Sequence, residues 1–320
     1  MAKGFEIETA LGAPFSLAKR RPVSVFVWGV LTLLPIVPIF GMFIPVWAVA
    51  VQSGQVPDEA MFRQMMMANV FAQLAQALQW VFSVLVMTAA IRATLVAPKA
   101  SPNGPFFLGF GMAELMVGVS YLALLLMVCG IIIVLVLVGV GFGFAVWGLG
   151  PPWNVLLIGL YGLVCVGAVI WVALRLSLVC VVTADRRTLD LPVAWRATKG
   201  QVGRLLLLCL LLWLASIAVA LIFFAVMVPL CFGVFFLTGL RFEMFGHGAP
   251  LPLLTPSSIA ILSVAGAVLA SLWCWFMGLS QAMWASPFAS VWKQMKTQAA
   301  AQAAKAADAA ARDAIGSSEL

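Results

Sequence analysis

The dominant pattern in this chain is a series of long apolar stretches, separated by short segments that carry most of the charge. A helix needs about 20 mainly apolar residues to cross roughly 30 Å of hydrocarbon. The stretches that meet this requirement lie at 23–51, 67–91, 113–145, 154–182, 203–237 and 257–284. The pattern therefore predicts an all-α membrane protein with six transmembrane helices.

The amino-acid composition points to lipid as the solvent for most of the surface. Hydrophobic residues make up 64% of the chain and charged residues only 9%, whereas a soluble domain carries roughly 25% charged residues. The formal net charge of +7 alone would suggest a nucleic-acid partner. The basic residues, however, form short clusters between the apolar stretches, which is typical of membrane topology and of contact with anionic lipid. We expect no nucleic acid as a partner.

The distribution of Lys and Arg predicts the orientation in the membrane. If the N-terminus is cytoplasmic, all of the 18 basic residues except Arg63 and Arg241 fall on the cytoplasmic side. Short cytoplasmic loops carry such an excess in multi-pass proteins. We therefore expect both termini in the cytoplasm. The chain divides into a cytoplasmic amphipathic segment at 1–22, a transmembrane domain at 23–287 and an Ala-rich helical tail at 288–320.

A weak internal repeat is visible at the cytoplasmic ends of the apolar stretches. Amphipathic or semi-polar segments at 15–22, 106–114 and 194–204 precede the odd-numbered stretches. A polar residue lies at an aligned position near the end of each even-numbered stretch, namely Arg92, Arg175 and Gln281. The pattern favours three repeated helical hairpins, each introduced by a short cytoplasmic interfacial helix. The alternative is that many membrane proteins end their inner helices with Arg and Pro.

Two segments carry a family resemblance: 175–183 (RLSLVCVVT) and 194–204 (AWRATKGQVGR). With the opening FSLAKRR at 15–21, they resemble poorly characterised bacterial six-helix membrane proteins, including the membrane domain that accompanies some glycerophosphodiester phosphodiesterases. The resemblance implies a membrane scaffold in a bacterial inner membrane. Family members that hydrolyse glycerophosphodiesters use a separate soluble domain with acidic metal ligands and histidines. With one histidine and 11 acidic residues, this chain is not expected to be an enzyme.

Three ionisable residues near the cytoplasmic helix ends are candidates for a functional site: Glu114, Arg92 and Arg175. An ionisable group at membrane depth is costly, so Glu114 should have a partner or face water. One interpretation is a cytoplasm-facing polar crevice in which the two arginines bind an anionic headgroup or substrate. The other is an ion pair, or snorkelling side chains, that fix the helix ends.

The densest basic cluster follows the fourth apolar stretch. Its members are Arg186, Arg187, Arg196, Lys199 and Arg204, with Trp195 among them. Such residues on an interfacial helix favour contact with anionic lipid headgroups. Ordinary retention of positive charge in the cytoplasm explains the same residues and stays open as the alternative.

The sequence leaves two classes of function open. The chain contains no P-loop, nucleophile motif or HExxH, and no cofactor or metal is expected. The first hypothesis is a non-catalytic inner-membrane protein that organises anionic lipids or membrane protein partners. The second is a small transporter or lipid-translocating protein that uses the polar crevice. The Ala-rich stretch at 293–315 predicts a helix that extends the last span, either as a docking tail or as a solvated one.

Overall fold

The computed structural model describes residues 5–38, 59–96, 105–109, 111–238 and 256–317. Within these ranges the chain forms α-helices and two short 3-10 turns, at Pro105–Phe107 and Trp147–Leu149, and no strand. The α-helices are α1 (Ile7–Arg20), α2 (Pro22–Leu33), α3 (Glu59–Leu95), α4 (Met112–Val146), α5 (Trp153–Leu176), α6 (Val179–Arg186), α7 (Leu191–Ala197), α8 (Val202–Thr238) and α9 (Pro256–Ser317).

Five helical segments are long and apolar enough to cross a membrane. They are Met66–Leu95, Glu114–Leu149, Trp153–Arg186, Val202–Thr238 and Ile259–Ala310. The chain is therefore an all-α protein with the helices of a multi-pass membrane protein, as its apolar pattern predicts. Helix α2 has only 12 residues, and 39–51 of the first predicted span lie outside the described residues. The count of six spans stays a prediction.

Local chemistry explains a helix start at Pro22 and a turn at Ser177. Pro22 is the first residue of α2, where its missing N–H costs nothing and its fixed φ suits a helix start. The fourth apolar stretch, predicted as one span over 154–182, lies within the membrane-length segment Trp153–Arg186, in which Ser177 and Leu178 separate α5 from α6. The Ser177 hydroxyl donates to the Leu174 carbonyl at 2.8 Å within this turn. A side-chain hydrogen bond to the backbone thus accompanies the break.

The buried core lies at one end of the helices. It includes residues from α1, α2, the end of α3, the α5–α6 region, the start of α8 and the middle of α9, for example Leu17, Trp28, Ile91, Leu208 and Ala289. The apolar windows of the spans that contain α4 and α5 are not buried at all. Lipid tails can solvate such surfaces as well as other side chains do. We call the end of the helices that holds this core the packed end. The opposite end, with the unburied windows of α4 and α5, is the open end.

Helices α2 and α9 cross with their backbones in contact at a pair of glycines. A Cβ atom on Gly29 would lie 1.6 Å from the carbonyl oxygen of Cys274, and one on Gly278 would lie 1.9 Å from that of Val25. No real Cβ approaches an oxygen so closely, so both positions require glycine. Small residues allow backbones to meet in this way in membrane helices. The pair holds the short helix α2 directly against α9.

The three segments of the suggested repeat differ in the structure. Helices α1 and α7 precede α2 and α8, but the described residues before α4 contain only the 3-10 turn at Pro105–Phe107. The even-numbered stretches also end differently: α3 stops at Leu95 and α5 at Leu176, whereas α9 continues through Pro287 to Ser317. This continuation confirms the predicted helical extension of the last span.

Candidate functional site

The polar groups of the packed end begin with an ion pair between α3 and α4. Glu114 lies in the first turn of α4 and Arg92 in the last turn of α3. The Glu114 side chain is 6% exposed, the Arg92 side chain is 25% exposed, and Arg92 Nη1 donates to Glu114 Oε1. A buried carboxylate is stable only when a partner compensates for its lost hydration. Of the two arginines expected as partners, the structure gives this role to Arg92.

An apolar groove of about 660 Å³ runs beside this pair between α3 and α4. Its walls include Trp80, Leu85, Leu115 and Tyr121. Among the described residues that line it, Glu114 is the one with a charged side chain. The groove can accept an apolar chain, but it offers no row of polar groups for a hydrated solute.

Arg175 has different partners, on α5 and α7. Its guanidinium carbon lies 5.2 Å from the centre of the Trp171 ring and 5.1 Å from that of the Trp195 ring. Its Nη1 donates to the Trp195 carbonyl at 3.3 Å, and the Thr198 hydroxyl lies 3.2 Å from the Arg175 carbonyl oxygen. A cation over aromatic faces is attracted by the ring quadrupoles. These contacts attach α7 to the end of α5, apart from the Arg92–Glu114 pair.

The predicted basic cluster is solvent-exposed throughout. All of its members, Arg186, Arg187, Arg196, Lys199 and Arg204, have exposed side chains. Arg186 forms an ion pair with Asp190 at 3.0 Å, and the Arg196 Nε donates to the Pro192 carbonyl at 3.2 Å. Surface pairs of this kind contribute little energy, so the cations stay available to an external anion. We call these five residues the basic face.

A connection that the sequence analysis missed joins α6 to α9. Asp185 accepts a hydrogen bond from Trp292 Nε1 at 3.0 Å and from Lys296 Nζ at 2.9 Å. Trp292 and Lys296 are four residues apart on a helix, so they share one face. That spacing was the available signal, but nothing local indicates an acceptor more than 100 residues away. Just before α1, the N–H of the N-cap residue Glu6 donates to Gln294 Oε1 at 2.7 Å.

The polar contacts of the packed end join its helices, α3 to α4, α5 to α7 and α6 to α9. Within the described ranges, no three His, Cys, Asp or Glu side chains gather as they would around a metal ion. His247 lies outside the described residues. Comparison with protein-family models, with curated proteins and with solved structures gave no significant match.

Proposed function

We propose that this chain is a non-catalytic, six-span protein of a bacterial inner membrane that organises anionic lipids, or a membrane protein partner, at its packed end. In this proposal both termini are cytoplasmic, so the packed end faces the cytoplasm. The charge distribution supports the orientation, because Arg63 and Arg241 are the basic residues left on the opposite side. The apolar residues 39–51, which follow α2, support a sixth span.

The observation that carries the lipid-binding proposal is the exposure of the entire basic face. Five cations on α6, α7, α8 and their connections are exposed next to the ends of membrane-length helices. Exposed Leu189 and Trp195 lie between them in sequence, and Trp side chains are enriched at membrane interfaces. Each basic residue near an anionic surface contributes about 1 kcal/mol to binding. The basic face therefore suits a layer of anionic headgroups.

A charge-matched pair of variants tests the lipid-binding proposal. Arg196→Gln with Lys199→Gln removes two charges from the basic face. Lys305→Gln with Arg312→Gln removes two charges from the distal part of α9. Native mass spectrometry of the purified chain should show that the first variant retains less phosphatidylglycerol, with affinity lowered about 30-fold. Equal retention by the two variants and the parent chain would rule out a lipid-binding basic face.

The three-hairpin repeat and the family resemblance remain hypotheses within this proposal. Helices α1 and α7, which precede α2 and α8, support the repeat for two of its three units. Both hypotheses describe a scaffold, which fits a binding role without catalysis.

A small transporter or lipid translocator is the second candidate. The Arg92–Glu114 pair beside the groove between α3 and α4 favours it, because an ionisable residue at membrane depth often marks a transport path. A lipid chain suits this groove better than a hydrated solute does, since its walls are apolar. If Glu114→Gln, Arg92→Gln and Arg175→Gln all preserve lipid scrambling in reconstituted vesicles, this candidate fails.

A further inference from the structure

A second cluster of cations surrounds a cavity at the packed end, apart from the basic face. The cavity has a volume of about 560 Å³ and lies between α1, the end of α3 and α9. Arg20, Arg21 and Lys293 line it, together with the hydroxyl-bearing residues Ser16 and Thr94 and the buried Leu17. Its residues come from the beginning, the middle and the end of the chain, so no local pattern indicates it.

The cavity contains positive charge without a compensating carboxylate. Among the described residues, none of the three cations forms an ion pair, and no Asp or Glu lines the cavity. Like charges in one partly enclosed space repel each other, and an anion among them relieves this repulsion. Arg20 lies in the last turn of α1, where the helix dipole favours a cation. Lys293 lies in the interior of α9, where no helix end favours a cation.

The donors available to a ligand are the cationic groups themselves. The Ser16 hydroxyl donates to the Ala13 carbonyl at 2.9 Å, and the Thr94 hydroxyl donates to the Ala90 carbonyl at 2.8 Å. The Arg21 guanidinium carbon lies 4.3 Å from the centre of the Phe107 ring. This contact occupies the face of the guanidinium and leaves its edge N–H groups for an acceptor. Two guanidinium groups and one ammonium group suit the oxygens of a phosphate.

The position of the cavity matches the level of lipid headgroups. Helix α2 starts at Pro22, directly after Arg21, and runs into apolar sequence. The apolar span of α3 ends at Leu95, next to Thr94 and Val96 of the cavity. A neighbouring groove along α1 and α9 shares Arg20 and Lys293 with the cavity and contains Glu6, whose carboxylate accepts a hydrogen bond from the Thr9 hydroxyl and forms an ion pair with neither cation. Charge therefore appears where these helices leave the apolar layer.

We propose that this cavity is a binding site for a phosphate group, and that Arg20, Arg21 and Lys293 are its ligands. The phosphate of an anionic lipid headgroup is available at this level, and a soluble phosphate ester offers the same chemistry. The site shares no residue with the basic face, so the two sites can succeed or fail independently.

Matched single substitutions test the site. Arg20→Gln removes a cavity cation, whereas Lys19→Gln removes the neighbouring exposed charge that does not line the cavity. Lys293→Gln and Lys305→Gln form the same comparison on α9. All four side chains are exposed, so the variants should fold as the parent chain does. Lys293→Arg retains the charge and should retain binding.

Two measurements on the full-length purified chain separate the sources of phosphate. Native mass spectrometry counts the phosphatidylglycerol and phosphatidylcholine retained, and thermal shift records binding of glycerol 3-phosphate and inorganic phosphate. We expect Arg20→Gln and Lys293→Gln each to lower phosphatidylglycerol affinity about five-fold, with Lys19→Gln and Lys305→Gln unchanged. A loss confined to the soluble phosphates supports the site with a soluble ligand. The proposal is overturned if cavity and control variants bind every probe alike.

Discussion

At the scale of the residue, the packed end accommodates its ionisable groups in three ways. Glu114 is buried and paired with Arg92. Arg175 is half-buried against the Trp171 and Trp195 rings. The basic face is left to solvent. These arrangements differ in energy, because removing one member of a buried pair leaves a charge without compensation, whereas removing an exposed charge costs almost nothing.

The effects of substituting Arg92 and Glu114 on the free energy of unfolding should depend on each other. Arg92→Gln leaves a buried carboxylate unpaired and should lower the free energy of unfolding by about 3 kcal/mol, the low end for such a loss because Arg92 is a quarter exposed. Glu114→Gln should cost less, about 1 kcal/mol, since Arg92 is a quarter exposed and can turn toward water. The double variant Arg92→Gln/Glu114→Gln should recover part of the loss. Thermal unfolding in detergent measures all three, with Lys305→Gln as the charge-removal control.

Additive effects of the two single substitutions would show that the pair contributes no coupling energy. Lipid scrambling by these variants in reconstituted vesicles is a separate measurement and addresses the transporter candidate.

The sequence gives only part of this residue-scale picture. The cost of an ionisable group at membrane depth predicts that Glu114 has a partner, and Arg92 was one of the two arginines expected. The choice between Arg92 and Arg175 depends on which helices are neighbours, and no spacing within the chain reveals that. The Asp185 contacts with Trp292 and Lys296 depend on tertiary structure in the same way.

At the scale of the element, the crossing of α2 and α9 depends on a glycine on each helix. Gly278→Ala would place a methyl group 1.9 Å from the Val25 carbonyl oxygen, so the helices would have to separate. Overpacking of this kind costs about 1–3 kcal/mol. Gly266→Ala, in the same helix with open space around it, should be neutral or slightly stabilising because alanine is the better helix former.

Thermal unfolding in detergent compares these two variants directly. Equal midpoints for Gly278→Ala and Gly266→Ala would show that the two helices do not cross at this glycine pair.

The predicted elements and the observed ones agree where hydrophobicity decides the outcome. Long apolar stretches give long helices, because a backbone in hydrocarbon must satisfy its hydrogen bonds internally. The turn at Ser177 and Leu178, inside the Trp153–Arg186 segment, is not predicted, since neither residue is the glycine or proline that usually interrupts a helix. The crossing at Gly29 and Gly278 was also missed, because many glycines lie in these apolar stretches and most of those in the described helices have open space around them.

At the scale of the whole molecule, α9 connects the open end to the packed end and then continues beyond it. Its first half is membrane-length, Gly278 contacts α2, and Trp292 and Lys296 contact Asp185. These contacts fix α9 along one side of the molecule, while the stretch from Ala299 to Ala310 is exposed.

An inserted residue tests whether these contacts depend on one continuous helix. One alanine after Trp284 would rotate all later residues by about 100° relative to the span, since a helix has 3.6 residues per turn. Lys296 would then turn away from Asp185, and we expect a lower thermal midpoint. One alanine inserted after Ala300 should leave the midpoint unchanged, because only the exposed part rotates. A similar midpoint for the two insertions would contradict a continuous α9.

Because α9 is uninterrupted, the part beyond Lys296 should pivot about the contact with Asp185 when the membrane-length part changes its tilt. From Lys296 to Ser317 the helix extends about 30 Å at 1.5 Å per residue. A change of about 10° in the tilt of the span would move the far end by about 5 Å. Tilt responds to bilayer thickness, because a long span leans over when the hydrocarbon layer becomes thinner. The position of the far end of α9 would thus shift when the thickness of the membrane changes.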